Sequence, residues 1–109
     1  NYNYEFNEEQ IKTILDKLYN DLNSSYEQYE INIYFQEERE IARGENKGEK
    51  INAWVVSLED NSFFDTIDFL TISDETGEPL YFQMKHRVYE IFKNEEGKYY
   101  LKIEEAELN

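Results

Sequence analysis

The sequence predicts an α+β domain: one N-terminal helix packed on a curved antiparallel sheet of about five to six strands. Three observations carry this. Apolar residues recur at helical spacing near the N-terminus. From about residue 30 the period falls to two, the repeat of a pleated strand. Two polar turns, 74–77 and 94–97, end in Gly77 and Gly97 and join alternating segments into hairpins. With no linker, fixed-period repeat or low-complexity block, residues 1–109 read as a single domain.

The helix is expected over 8–22. Asn7 and Gln10 fit an N-cap with its reciprocal partner three residues on, and Glu8 and Glu9 suit the positive end of the helix dipole. Ile11, Ile14, Leu15, Leu18, Tyr19 and Leu22 then form one apolar face, with Lys12, Asp16, Lys17 and Asp21 opposite. Strands follow near 30–36, 51–58, 67–73, 79–84, 87–93 and 98–103. In the first, Ile31, Ile33 and Phe35 alternate with Asn32, Tyr34 and Gln36. In the second, Trp54, Val56 and Leu58 share a face, and Val55 beside them predicts a central strand covered on both sides. The polar stretch 37–50, with Gly44 and Gly48, reads as an exposed, mobile loop or an extended hairpin. The acidic tail 104–109 is expected to fray.

Composition excludes whole classes of chemistry. Eleven Lys and Arg against 25 Asp and Glu give a net charge of −14, while 17% aromatic residues oppose a disordered acidic tail. Such a charge disfavours direct binding to nucleic acid or anionic membranes. Zero Cys removes disulfides, thiol nucleophiles and thiolate metal sites. It fits either redox compartment, and the cytoplasm is the expectation. The chain opens on Asn1 rather than Met, as a trimmed or processed product would. Abundant Asn, Lys, Glu, Ile and Tyr have the character of an AT-rich bacterial or phage genome.

No catalytic motif emerges. His86 sits between Lys85 and Arg87, and Ser57, Ser62 and Ser73 lack the G-x-S-x-G context of an activated nucleophile. Paired carboxylates arise by chance among 25 acids, so a glycosidase pair carries little weight. The 74–78 turn is too short for an EF-hand loop, and Gly44 and Gly48 lack a following G-K-[ST]. No enzymatic activity, metal or cofactor is expected.

Charge distribution is more informative. Residues 51–84 contain no Lys or Arg, while Glu59, Asp60, Asp65, Asp68, Asp74, Glu75 and Glu78 supply seven negative charges. This predicts one negative pole built from the loop after the second strand and the next hairpin. Phe63 and Phe64 lie inside it, and a ring rimmed by carboxylates suits docking to a basic protein: the ring anchors and the charges steer. Tyr34, Tyr81 and Tyr100, on expected outer faces, extend that surface. The simpler account is a solubilising face with tyrosines covering the sheet.

The helix-then-sheet order, the W-V-V-S strand at 54–57 and the D-E-T-G-E turn at 74–78 resemble small bacterial cystatin-like, NTF2-like and PepSY-like domains, among them toxin-immunity proteins. The resemblance implies an α+β fold and an inhibitory or immunity role, with no catalytic residue carried over. The expected function is therefore a small acidic, non-enzymatic protein that neutralises a basic toxin or nucleic-acid-binding effector through the nine residues Glu59, Asp60, Phe63, Phe64, Asp65, Asp68, Asp74, Glu75 and Glu78. The alternatives are a phage-encoded nucleic-acid mimic of the anti-restriction or anti-CRISPR kind, and a small-ligand-binding cystatin/NTF2-like domain.

Overall fold

Asn7 starts the single helix, α1 (Glu8–Asp21), by the reciprocal capping the sequence implies. Its Oδ1 accepts from Gln10 N at 2.9 Å, and Gln10 Oε1 accepts from Asn7 N at 2.8 Å. Leu22 caps the other end, and Asn23 turns the chain out with a left-handed φ of 53°. The computed structural model describes residues 4–61 and 65–103.

Six strands follow: β1 (Glu30–Glu40), β2 (Lys50–Asp60), β3 (Thr66–Ser73), β4 (Pro79–Gln83), β5 (Val88–Lys93) and β6 (Tyr99–Ile103). They pair antiparallel in chain order, so the sheet is an open meander with β1 and β6 at its edges. Helix and strands match the expected elements, with β1 and β2 longer than anticipated.

Alternation sorts the sheet into two faces. On the helix-bearing face, Ile11, Leu15 and Leu18 pack with Trp54, Val56, Leu58, Leu70, Ile72, Phe82, Ile91 and Tyr99. Both ends of α1 are tied down by distant groups. At its start, the buried Asp74 carboxylate accepts from Glu5 N (2.9 Å), Phe6 N (3.1 Å) and Trp54 Nε1 (2.8 Å). The Phe6 ring lies so close to Gly77 that a Cβ there would stand 2.6 Å from it, so this left-handed turn position admits only glycine. Near its end, Lys17 Nζ donates to Gly97 O at 3.1 Å and Asp21 Oδ2 accepts from Tyr99 N at 3.0 Å. Those contacts, the Lys17 ammonium above all, hold the Asp21 carboxyl below its ordinary range.

The outer face is also buried in part, as Val55 predicts: Ala53, Val55, Ser57, Thr71 and Tyr81 are all covered. Here the segment 37–50 departs from the exposed, mobile loop and takes the extended-hairpin form. β1 and β2 run on to Glu40 and Lys50, and the loop between them folds back over the sheet. Ile41 is 1% exposed, Ala42 N donates to Tyr81 Oη at 3.1 Å, and Gly44 lies against the Glu90 carboxylate on β5. One isoleucine in a polar stretch gives the loop something to bury.

A bulge sets this up. Between the Gln36↔Ala53 and Arg39↔Ile51 pairs, β1 carries one residue more than β2, and Glu38 there takes a φ of 49° while its N–H donates to Asn52 Oδ1 at 3.0 Å. Before the bulge the odd-numbered residues of β1 face the helix. After it, Arg39 and Ile41 face outward.

Candidate interaction surface

The seven described residues of the nine expected to form one pole do not gather at one place. β3 separates them: eight extended residues span roughly 23 Å. Glu59, Asp60, Asp65 and Asp68 lie at the end where β2 hands over to β3, and Asp74, Glu75 and Glu78 lie at the opposite end. Phe63 and Phe64 fall outside the described residues, as do Ser62 and the tail 104–109.

The far group has internal work. Asp74 is 1% exposed and spends its oxygens on the N-terminal segment and Trp54, so it presents no charge to a partner. Glu78 bridges Lys93 Nζ at 2.9 Å and accepts from Tyr99 Oη at 2.9 Å. Burial, reinforced by Glu78, pushes the Tyr99 phenol up, and Lys17 and Lys93 both stand over its ring. Glu75 alone of the three is exposed without such a role. Tyr81 also leaves the expected surface, being fully buried under the 41–49 loop, whereas Tyr34 and Tyr100 are exposed.

At the β2–β3 end like charges gather as two pairs, Glu30 with Glu59 on the outer face and Asp60 with Asp68 on the helix-bearing face. Glu30 stands directly opposite Glu59 in the β1–β2 register and accepts from Asn61 Nδ2 at 3.0 Å. Like charges in that position oppose pairing. Asp68 lies on the helix-bearing face, in line with Leu70 and Ile72. Burial, and after it the Asp60 charge, raises its carboxyl above the ordinary value. Asp65 is exposed with a left-handed φ of 47°.

Aromatic rings adjoin these acids. Tyr19 packs edge-on to Phe82 and Tyr26 at centroid distances of 6.0 and 5.2 Å. Its phenol is pushed up by burial first, then by Tyr29 and Asp68. Tyr26 Oη donates to Asp16 Oδ1, and burial together with that carboxylate pushes its phenol up to about 12. Glu30, Tyr19 and Tyr26 are members of this surface that sequence reasoning missed. Tyr19 stands in the apolar stripe of the helix and so reads there as core.

Among the described residues no three of His, Asp and Glu converge as a metal-ligand set, and no helix is long and apolar enough to cross a membrane. His86 is exposed in the turn between β4 and β5. No protein family, curated protein or solved structure matches the chain.

Asp68 yields a stability prediction. Its folded-state pKa lies above the unfolded one, so the folded form holds this proton to higher pH. Its contribution therefore turns unfavourable as pH rises through the interval above the ordinary value of 3.8. Asp68→Asn, which removes a carboxylate penalised first by burial and then by Asp60, is expected to raise the unfolding free energy at pH 7 by no more than about 1 kcal/mol, seen as a higher urea midpoint. It should also flatten the decline of stability above pH 4. A lower midpoint for this variant would contradict the geometry.

Proposed function

We propose that the chain is a non-enzymatic binding protein that blocks a basic protein partner, in the manner of an immunity-type inhibitor, through the acidic end at the β2–β3 junction. The observation that carries this reading is the opposition of Glu30 to Glu59 together with Asp60 beside Asp68. That arrangement works against the fold, and a cationic surface docking there would relieve it. A merely solubilising face has no need to set carboxylates against one another. On the helix-bearing side Tyr19, half-buried beside Asp68 and with Tyr26 and Tyr29 next to it, supplies apolar contact once charge has drawn the partner in. The cytoplasm is the proposed place of action, with the lack of cysteine permissive.

The test screens basic proteins encoded by genes adjoining this one and follows association by stopped flow; finding no salt-sensitive complex with any of them would refute the reading. Changing Asp60, Asp65 and Asp68 together to Asn should slow association about tenfold at low salt and leave dissociation nearly unchanged, because long-range attraction acts before contact. Asn tolerates the left-handed backbone at position 65, so the fold is preserved. An association rate indifferent to salt and to the triple change would sink the reading. Displacement of the chain by excess duplex DNA would favour the nucleic-acid mimic instead.

A further inference from the structure

The outer face of the sheet holds a second feature, which meets the acidic end at Ile67, the register partner of Glu59. Beside the area covered by the 41–49 loop lies an open groove of about 480 Å³, within the range of small-molecule sites. Tyr34 and Arg39 of β1 form one side, and Ile67 and Phe69 of β3 the other. Gln83 and Lys85 close it from the end of β4 and the turn that follows. Between Tyr34 of β1 and Phe69 of β3, β2 carries the small residues Ala53, Val55 and Ser57 on this face, which explains a depression in the sheet, with Ile51 at its Arg39 end and Glu59 at its Ile67 end.

Arg39 is there because of the β1 bulge, which turns it from the helix-bearing face to the outer one. Its Nη1 donates to Gln36 Oε1, which holds the guanidinium back along β1 toward Tyr34. Its Nε is buried with no hydrogen-bond partner, and so is Thr71 Oγ1, which shares the outer face in the same register row as Tyr34 and Val55. Burying a guanidinium donor without a partner is costly, and buried polar atoms left in this state call for an explanation. Among the described residues no carboxylate pairs with Arg39, in a chain that has 25 of them.

We infer that this groove binds a small aromatic monocarboxylate, its carboxylate on Arg39 and its ring between Tyr34 and Phe69. Arg39 lines the groove and Gln36 takes only its Nη1, so the planar guanidinium keeps N–H groups for the oxygens of a carboxylate, and the exposed Tyr34 ring offers a flat apolar wall. Lys85 adds a second, solvated positive charge at the far side. The net charge of −14 favours a monoanion over a dianionic phosphate ester, because the opposing field acts on each charge of the ligand. Glu59 and Glu30 stand on the same face in the row of Ile67, so the ligand carboxylate belongs at the opposite end, on Arg39. Screening over about 8 Å at physiological salt weakens their repulsion there.

The probe is 2-naphthoate, titrated into the full chain and followed by backbone amide and Arg Nε–H shifts in NMR. Acetate supplies the head without the ring, 2-naphthamide the ring without the charge, and naphthyl phosphate the dianionic head. Saturable shifts at residues 34, 39, 69, 83 and 85 are expected with 2-naphthoate, at a Kd of about 1 mM or below. Acetate and 2-naphthamide should each bind at least about tenfold more weakly, and naphthyl phosphate no more tightly than the carboxylate. Arg39→Gln should weaken 2-naphthoate about tenfold to a hundredfold, and Lys85→Gln about two- to threefold. Arg39→Lys, which keeps the stem and charge but not the fork, should fall between and stands in if Arg39→Gln does not fold. No saturable shift up to about 10 mM, equal binding of 2-naphthamide, or indifference to the Arg39 changes would overturn the assignment. Tighter binding of naphthyl phosphate would overturn the carboxylate choice.

Discussion

Asp74→Ala is expected to destabilise the fold by about 3–5 kcal/mol, as removal of the acceptor in a buried charged network does. Three donors lose their acceptor at once: Glu5 N, Phe6 N and the indole Nε1 of Trp54. The loss would also release the segment that leads into α1 and presses Phe6 on Gly77. Asp74→Asn should cost less but still be felt. Its amide nitrogen, placed where Oδ2 now accepts from Glu5 N, would set donor against donor. Urea melts followed by Trp54 fluorescence measure both effects, since this is the chain's sole tryptophan. A midpoint for the Ala variant equal to that of the wild type would show the carboxylate to be dispensable.

Leu18→Ala should cost about 2–5 kcal/mol, the range for emptying a buried leucine site. Leu18 is fully buried in the cluster that joins α1 to the sheet. Ile14→Ala, at a half-buried position of the same helix, is the internal control and should cost clearly less. An unchanged midpoint for Leu18→Ala would mean that the helix is peripheral to stability.

The helix and the strands were legible because their causes are local. The Asn7 and Gln10 pair marks a helix start within four residues, and the alternation in β2 and β4 marks strands within six. The same alternation places Trp54, Val56, Leu58 and Phe82 together on one face, where they meet α1. What was not legible depends on partners far along the chain. Asp74 looks like any acid in a hairpin turn, and only the arrival of Glu5 and Phe6, 69 and 68 residues away, makes it an internal acceptor. Tyr81 was rightly assigned to the outer face, but periodicity says nothing of a loop from another hairpin lying over it. The acidic pole divided for a similar reason. Residues 59–78 are continuous in sequence, yet β3 runs through their middle and carries its two ends to opposite rims of the sheet. The cross-strand opposition of Glu30 and Glu59 depends on register, which a single strand does not encode.

The meander order carries a consequence for how the chain reaches this state. Every pairing in the sheet joins strands consecutive in sequence, so each can form by closing a short loop at small entropic cost. Docking of the helix is of a different kind: its ties run from Glu5 to Asp74, from Lys17 to Gly97 and from Asp21 to Tyr99, spanning 69, 80 and 78 residues. None of these can form until the hairpins that present Asp74, Gly97 and Tyr99 exist. The element written first in the chain thus completes its seating only with the last hairpin. Emergence from the ribosome, which delivers the helix first, runs opposite to the order in which its contacts become available.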